Sequence, residues 1–310
     1  MTYGERYLDG VLALHHVVHG REFSREMWEW RYRPPSADVV YASVLCGDDG
    51  IVGYMGVAPL PGWLDGRDIP FFQIQDLMIH PACRAKHSMA QVHKDSVLSI
   101  VERIRERYPL AVVYGFAPRR PLFLYQRFGF ASLIEAVPEL VVRPAQVRPV
   151  EGPFGKMGLE IHEWDWADPN IDHMWQEMKG AIVAGLRRDR AYLRPRYAGH
   201  PERQYRLFGI HQRGTAVGWV VVGPLKEGQV LDEVWAPDLL LPPRLVGMAL
   251  EEIARKLEAN TLITWLPSVF APEFSEIRES GLSALHIPGF PLTTEYLTSN
   301  LYYTAGDVGV

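Results

Sequence analysis

Apolar positions along the chain recur at two alternating periods. Val39–Leu45 (VVYASVL) reads as a strand, and a Gly-bearing turn leads into a second strand beginning at Gly53-Tyr54. From Ser88 to Glu106, apolar or small residues recur at spacings of three and four (Val92, Ser96, Ser99/Ile100, Arg103/Ile104), which predicts a long helix. Leu110–Phe116 (LAVVYGF) follows as a short buried strand that runs into Pro118.

The same succession returns in the second half. Tyr205–His211 and the segment starting at Gly218-Trp219 read as strands. Pro243–Ala259 reads as a helix with Val246, Leu250, Ile253 and Leu257 on one face, and Thr261–Leu266 as a buried strand ending at Pro267. WEWRYRPP at Trp28–Pro35 corresponds to LRPRYAGHP at Leu193–Pro201, and 21 residues separate Tyr32 from Gly53 just as they separate Tyr197 from Gly218. Asp76 precedes Pro81 by five residues, as Asp232 precedes Pro237. Phe128-Gly129-Phe130 and Ser280-Gly281-Leu282 each set a glycine between a polar helix end and an apolar residue. Correspondences in one order predict two copies of a mixed α/β unit. The boundary falls in the Pro/Gly-rich stretch Val142–Gly158, read as a linker or an exchanged edge segment, giving domains of 1–145 and 146–310.

Composition narrows the class. The 310 residues are 47% hydrophobic and 22% charged, which is globular rather than disordered. A net charge of −5 gives no overall drive toward nucleic acid, and none is expected as a partner. Two cysteines, Cys46 and Cys83, build no disulfide framework and fit a reducing compartment. No stretch approaches 18 consecutive apolar residues and the first residues do not read as a signal peptide, so the expectation is a cytoplasmic protein without membrane partner.

The element order is a helical start, two antiparallel-looking strands, a third strand, a turn, a long helix, a strand, a short helix and a strand. With Leu124-Tyr-Gln-Arg-Phe-Gly-Phe130, which is similar to an LYExxGF signature, it resembles the GCN5-related N-acetyltransferase (GNAT) family. The resemblance implies two tandem GNAT-like domains of α/β (mixed α+β) class, each a mostly antiparallel twisted sheet flanked by helices. It implies acetyl-CoA or another acyl-CoA as co-substrate, and no metal.

The resemblance also assigns a donor site. An acyl-CoA pyrophosphate is bound where a loop turns its N–H groups into a helix N-terminus. Here the loop reads Pro81-Ala-Cys-Arg84-Ala85-Lys86-His87-Ser88-Met89. Arg84 matches the leading position of the family's turn, while His87 and Met89 stand at its two glycine positions. Leu240-Leu-Pro-Pro-Arg-Leu245 keeps nothing of that turn, so donor binding is expected in the first copy only. Backbone N–H groups at Met78, Ile79 and His80 are expected to polarise the thioester carbonyl, and Arg119, followed by Arg120, to reach the pantetheine or phosphates or an acidic acceptor such as a nucleotide sugar; the alternative for the two arginines is a solvated loop charge pair.

Tyr125 matches the tyrosine that many GNAT enzymes use as general acid toward the leaving thiolate; its alternative is packing in the core. Asp76 is expected at the cleft as general base through water or as holder of the acceptor amine; its alternative is a turn-fixing carboxylate. His80, Cys83, His87 and His93 do not reproduce a zinc spacing, and His15 and His19 share a face of the first helix without forming an expected ligand set. Trp28, Trp30 and Tyr32 either border the acceptor pocket or anchor the first helical region. The function expected is N-acyl transfer to a primary amine of a small acceptor such as an amino sugar, nucleotide sugar or amino acid. The alternatives are a non-catalytic binding or assembly module that has lost CoA, and an acyltransferase served by an acyl-carrier protein.

Overall fold

The computed structural model describes residues 4–34, 39–48, 50–84, 88–144, 158–223, 233–270 and 276–308. The first half runs α1 (Leu8–His19), α2 (Arg25–Tyr32), β1 (Tyr41–Gly47), β2 (Gly50–Leu64), β3 (Arg67–Ile79), α3 (Ser88–Arg107), β4 (Val112–Pro118), α4 (Arg119–Arg127) and β5 (Ser132–Val142). The second runs β6 (Leu159–Trp164), α5 (Asn170–Met178), β7 (Ala184–Leu186), α6 (Arg190–Leu193), β8 (Arg206–Gln212), β9 (Thr215–Val222), β10 (Glu233–Trp235) and β11 (Asp238–Leu240), then α7 (Pro243–Lys256), β12 (Thr261–Trp265), β13 (Glu276–His286), α8 (Thr294–Asn300) and β14 (Leu301–Tyr302). The class is mixed α+β with mostly antiparallel strands, as the sequence predicts.

The chain forms two compact units. The first contains Met1–Gly62, Asp68–Glu135 and Gly281–Thr298; the second contains Trp63–Arg67, Ala136–Ser280 and Ser299–Val310. Each unit therefore takes in a segment from the opposite half of the chain. In the first, β1 lies antiparallel on β2, β3 runs parallel to β4, and Leu282–His286 of β13 closes the far side of β4 in antiparallel register.

Helices cover both faces of this sheet. Leu8, Val11, Leu14, Met27 and Trp28 of α1 and α2 pack with Val44, Tyr54 and Met78 on one face. Val97, Ile100, Val101 and Ile104 of α3 pack with Met55, Phe72 and Val113 on the other. Ile100 and Ile104 are buried as the spacing predicts, and Val97 and Val101 take the places beside them that the spacing gives to Ser96 and Ser99. Sharp local signals fix the helix ends: Gly20 ends α1 at φ 69°, and the Ser24 side chain accepts the Met27 N–H at 3.1 Å to cap α2. The WEWRY segment anchors α2, with Trp28 and Tyr32 fully buried and the Trp28 indole donating to the Tyr54 hydroxyl at 3.1 Å.

In the second unit, β6, β8, β9 and β11 form an antiparallel sheet, and residues 139–142 of β5 pair with β12. Val246, Leu250 and Ile253 of α7 are buried, as its periodicity predicts. One expectation is corrected here. Gly281 lies inside β13, where it takes φ 79°, and not at the end of a helix. Among the described residues, no helix is long and apolar enough to cross a membrane.

Candidate active site

The parallel ladder between β3 and β4 begins at Phe71↔Val112 and ends at Ile74↔Gly115. Beyond that point a cavity of about 300 Å³ opens in the first unit, walled by residues 74–77 of β3 and 115–118 of β4. Val97 of α3 and Leu285 of β13 add apolar surface, while His19, Gln75, Asp76 and Tyr125 supply the polar groups. The backbone departs from the strand at Asp76, which takes φ 48°. A non-glycine residue in that left-handed region costs about 1–2 kcal/mol, so the surroundings must hold it.

Tyr125 reaches the cavity through the way α4 ends. Gly129 adopts φ 69°, its N–H bonds the Gln126 carbonyl at 2.9 Å, and the Phe130 N–H bonds the Tyr125 carbonyl at 3.2 Å. This pair of bonds is a Schellman motif, and the apolar contact that accompanies such a motif is here the Tyr125–Phe130 ring pair, 5.0 Å between centroids. The LYxxxGF spacing is thus a helix stop that fixes the direction of its own tyrosine. Burial pushes the Tyr125 phenol above its ordinary range, so it remains protonated.

Asp76 is held by α2. The Arg31 guanidinium donates to both of its oxygens at 3.0 and 2.7 Å, and the Tyr32 hydroxyl donates to Oδ2 at 2.6 Å. Burial pushes the carboxyl upward, but the Arg31 charge and the Tyr32 and Arg31 hydrogen bonds outweigh it and hold it below the usual carboxylate range. The second unit repeats the arrangement with other partners: the Tyr197 hydroxyl donates to Oδ2 of Asp238 at 2.9 Å, and buried Arg188 donates to its Oδ1 at 2.9 Å. The tyrosine of each Arg-Tyr pair (Arg31-Tyr32, Arg196-Tyr197) therefore meets an aspartate. In the second unit that aspartate is Asp238; Asp232, which the Asp-to-Pro spacing aligns with Asp76, lies outside the described residues.

At the end of β3, Met78 is buried in the α1/α2 core, and the His80 N–H donates to the Val52 carbonyl at 2.8 Å. The expectation that the His80 amide polarises the thioester is corrected, because that donor is committed within the sheet. Strand alternation turns Ile79 to the opposite edge, where its carbonyl accepts Nε of Arg84 at 3.2 Å. Ala85, Lys86 and His87 lie outside the described residues, as do the side chains of Ser88, Met89 and Arg119; α3 starts at Ser88 and α4 at Arg119.

His15 and His19, one turn apart on α1, meet Asp76. A ring nitrogen of each histidine and a carboxylate oxygen of Asp76 lie within 4.8 Å of one another. His15 is the packed member, 1% exposed and stacked on Phe23 at 4.4 Å, whereas His19 lines the cavity.

No family model matches the chain and no curated protein does. Solved structures do match. A conserved Enterococcus faecalis V583 protein of unknown function, described as a probable N-acyltransferase, superposes with a TM-score of 0.66 at 14% identity over 96% of this chain and 73% of its own. A GCN5-related N-acetyltransferase from Anabaena variabilis gives 0.62 at 12% identity, over 92% of this chain and 71% of its own. The fold is that of the GCN5-related N-acetyltransferases. Saccharomyces cerevisiae N-myristoyltransferase with bound myristoyl-CoA is also similar, at a TM-score of 0.58 and 9% identity over 99% of this chain and 84% of its own.

Within the GNAT fold, the splayed strand pair with the cavity is β3 and β4. In the second unit the space beside β11, α7 and the end of β12 is a cavity of about 130 Å³, walled by Leu239, Leu240, Val246, Leu266, Phe270 and Tyr302. The one phenol there donates to the Leu239 carbonyl at 2.8 Å, so the wall is apolar apart from a group already paired. Sequence reasoning missed Arg31 and Tyr32 as the partners of Asp76, and His19 as a residue of the first cavity. The repeated Arg-Tyr pair was a usable signal for the first two, while the approach of His19 to Asp76 leaves no trace in local spacing.

Proposed function

We propose that this chain is an N-acyltransferase of the GNAT type. It transfers an acyl group, acetyl being the first candidate, from acyl-CoA to a primary amine of a small acceptor such as an amino sugar, nucleotide sugar or amino acid. The observation that carries this reading is the cavity at the point where β3 and β4 part, lined by both Tyr125 of α4 and Asp76 of β3. On this reading the donor site belongs chiefly to the first of two tandem domains, 1–145 and 146–310 in sequence, with Leu285 and Ile287 supplied from the later half. The apolar wall along Ile74, Leu77, Phe116 and Leu285 suits pantetheine and a short acyl chain, and the pyrophosphate meets the turn from Arg84 to Met89 at the start of α3.

The acceptor nitrogen attacks the thioester carbon, and the carbon–sulfur bond breaks as the tetrahedral intermediate collapses. The oxyanion forms beside the open edge of β3, where the Ile79 amide faces. Tyr125, protonated throughout the physiological range, donates to the departing sulfur. The Asp76 carboxylate, kept charged by Arg31, stabilises positive charge on the acceptor side.

Calorimetry with acetyl-CoA and longer acyl-CoAs tests the donor site, and thiol release with an amine panel tests transfer. Binding by the wild type, with Tyr125→Phe lowering kcat about 100-fold or more at unchanged acyl-CoA affinity, is the expected result. If only His87→Gly binds, the chain is a binding module with a vestigial donor site. If acyl-CoA and acyl-carrier-protein donors both fail with either protein, the enzyme reading is lost.

A further inference from the structure

Amine attack on a thioester releases a proton on the acceptor side, and Asp76 is poorly suited to take it. Its carboxylate already accepts three hydrogen bonds from Arg31 and Tyr32, and these hold it in the anionic form. His19 is differently placed. It stands on the last turn of α1, lines the same cavity as Tyr125 and is more than one-third exposed, so an acceptor can reach its ring. Behind it lie His15, with ring centroids 4.5 Å apart, and the Asp76 carboxylate.

We propose that His19 is the general base of the transfer, with Asp76 as its positioning residue. This rests on the acyltransferase reading. The lone pair of the neutral amine forms the bond to the acyl carbon, and the nitrogen–hydrogen bond of the ammonium so formed breaks as its proton passes to a ring nitrogen of His19, the electron pair staying on nitrogen. The carbon–sulfur bond then breaks, its pair leaving with sulfur, and Tyr125 supplies a proton to the thiolate. The imidazolium so formed faces the negative end of the α1 dipole and the Asp76 charge, both of which stabilise it.

The charged and titratable groups acting on His19 come from every neighbouring element: His15 on α1, Arg21 just beyond it, Arg31 on α2, Asp76 on β3 and Arg84 in the turn after β3. Desolvation favours the neutral ring; Asp76 opposes this and the three arginines reinforce it, leaving His19 below its ordinary value and so in the unprotonated form a base needs. The same three guanidinium groups, with a carboxylate already paired, oppose a divalent cation at this spot.

The test is His19→Gln, read in two ways. With the amine that gives most thiol release in the wild type, kcat falls about 100-fold or more, KM for acyl-CoA stays within about twofold, and the acidic limb of the kcat–pH profile disappears. Added imidazole restores part of the rate. NMR titration of the ring in the wild type finds His19 neutral at pH 7, and Asp76→Asn lowers its pKa. Retention of kcat within about threefold with the acidic limb intact overturns the assignment. So does a His19 ring protonated at pH 7, or loss of activity with a chelator that a divalent ion restores. A wild type that releases no thiol with any amine, yet holds His19 neutral and sensitive to Asp76, sinks the acyltransferase reading and the base role together; failure confined to His19→Gln leaves the acyltransferase reading standing.

Discussion

The Tyr32 phenol donates to Oδ2 of Asp76 across 2.6 Å, and its pKa is driven well above the ordinary value by burial and by the Asp76 charge. The phenol is therefore a permanent donor to a permanent anion. Arg31→Met removes the only cation hydrogen-bonded to this carboxylate among the described residues and leaves a largely buried charge uncompensated, at a cost of about 3–5 kcal/mol. Tyr32→Phe removes one charge-assisted bond and costs about 1.5–3 kcal/mol. Chemical denaturation ranks the two; equal effects would mean that Arg31 does not carry the neutralisation.

Gly129 offers a separate handle on Tyr125. Alanine at φ 69° costs about 1–2 kcal/mol and loosens the bonds that stop α4. Since Phe130 rests against the Tyr125 ring, the expected kinetic consequence of Gly129→Ala is a lower kcat with acyl-CoA affinity unchanged. Parallel calorimetry and turnover measurements read the two effects apart.

The fold is also expected to weaken on mild acidification. Burial holds both His15 and His286 down to about 4, in His15 against the pull of Asp76. An unfolded histidine titrates near ~6.5. As pH falls from there toward about 4, the unfolded chain binds protons that the native chain refuses, and stability drops, levelling off below that range. Asp307 works in the opposite sense. Burial raises it to about 6 despite Arg188, so its contribution is present in acid and is lost as pH rises through that value. Melting curves between pH 7 and 4 are expected to flatten in a His15→Gln/His286→Gln double variant and to steepen in Asp307→Asn.

How much of this was readable in advance depended on sequence distance. The order of first-half elements follows from local periodicity, and the Leu124–Phe130 segment carries its own helix stop within six residues. Asp76 shows the other case. Its position in a strand next to the turn was legible, but its partners Arg31 and Tyr32 lie 45 and 44 residues away, and only the sheet brings them together. The tyrosine–aspartate contact of the second unit is equally remote in sequence: Tyr197 and Asp238 lie 41 residues apart. Gly281 looked like a helix end because Ser-Gly-Leu is compatible with either context, and its place in β13 is set by pairing with β4.

That pairing reaches beyond the candidate site. The edge of β4 is sealed by Leu282–His286, from near the carboxyl end, while β12 is flanked by residues 139–142, from before the midpoint. A cut between the repeats would bare a raw strand margin on either fragment. Neither half of the chain can therefore be inherited, trimmed or transplanted with its sheet complete, because each compact unit draws a strand from the other half.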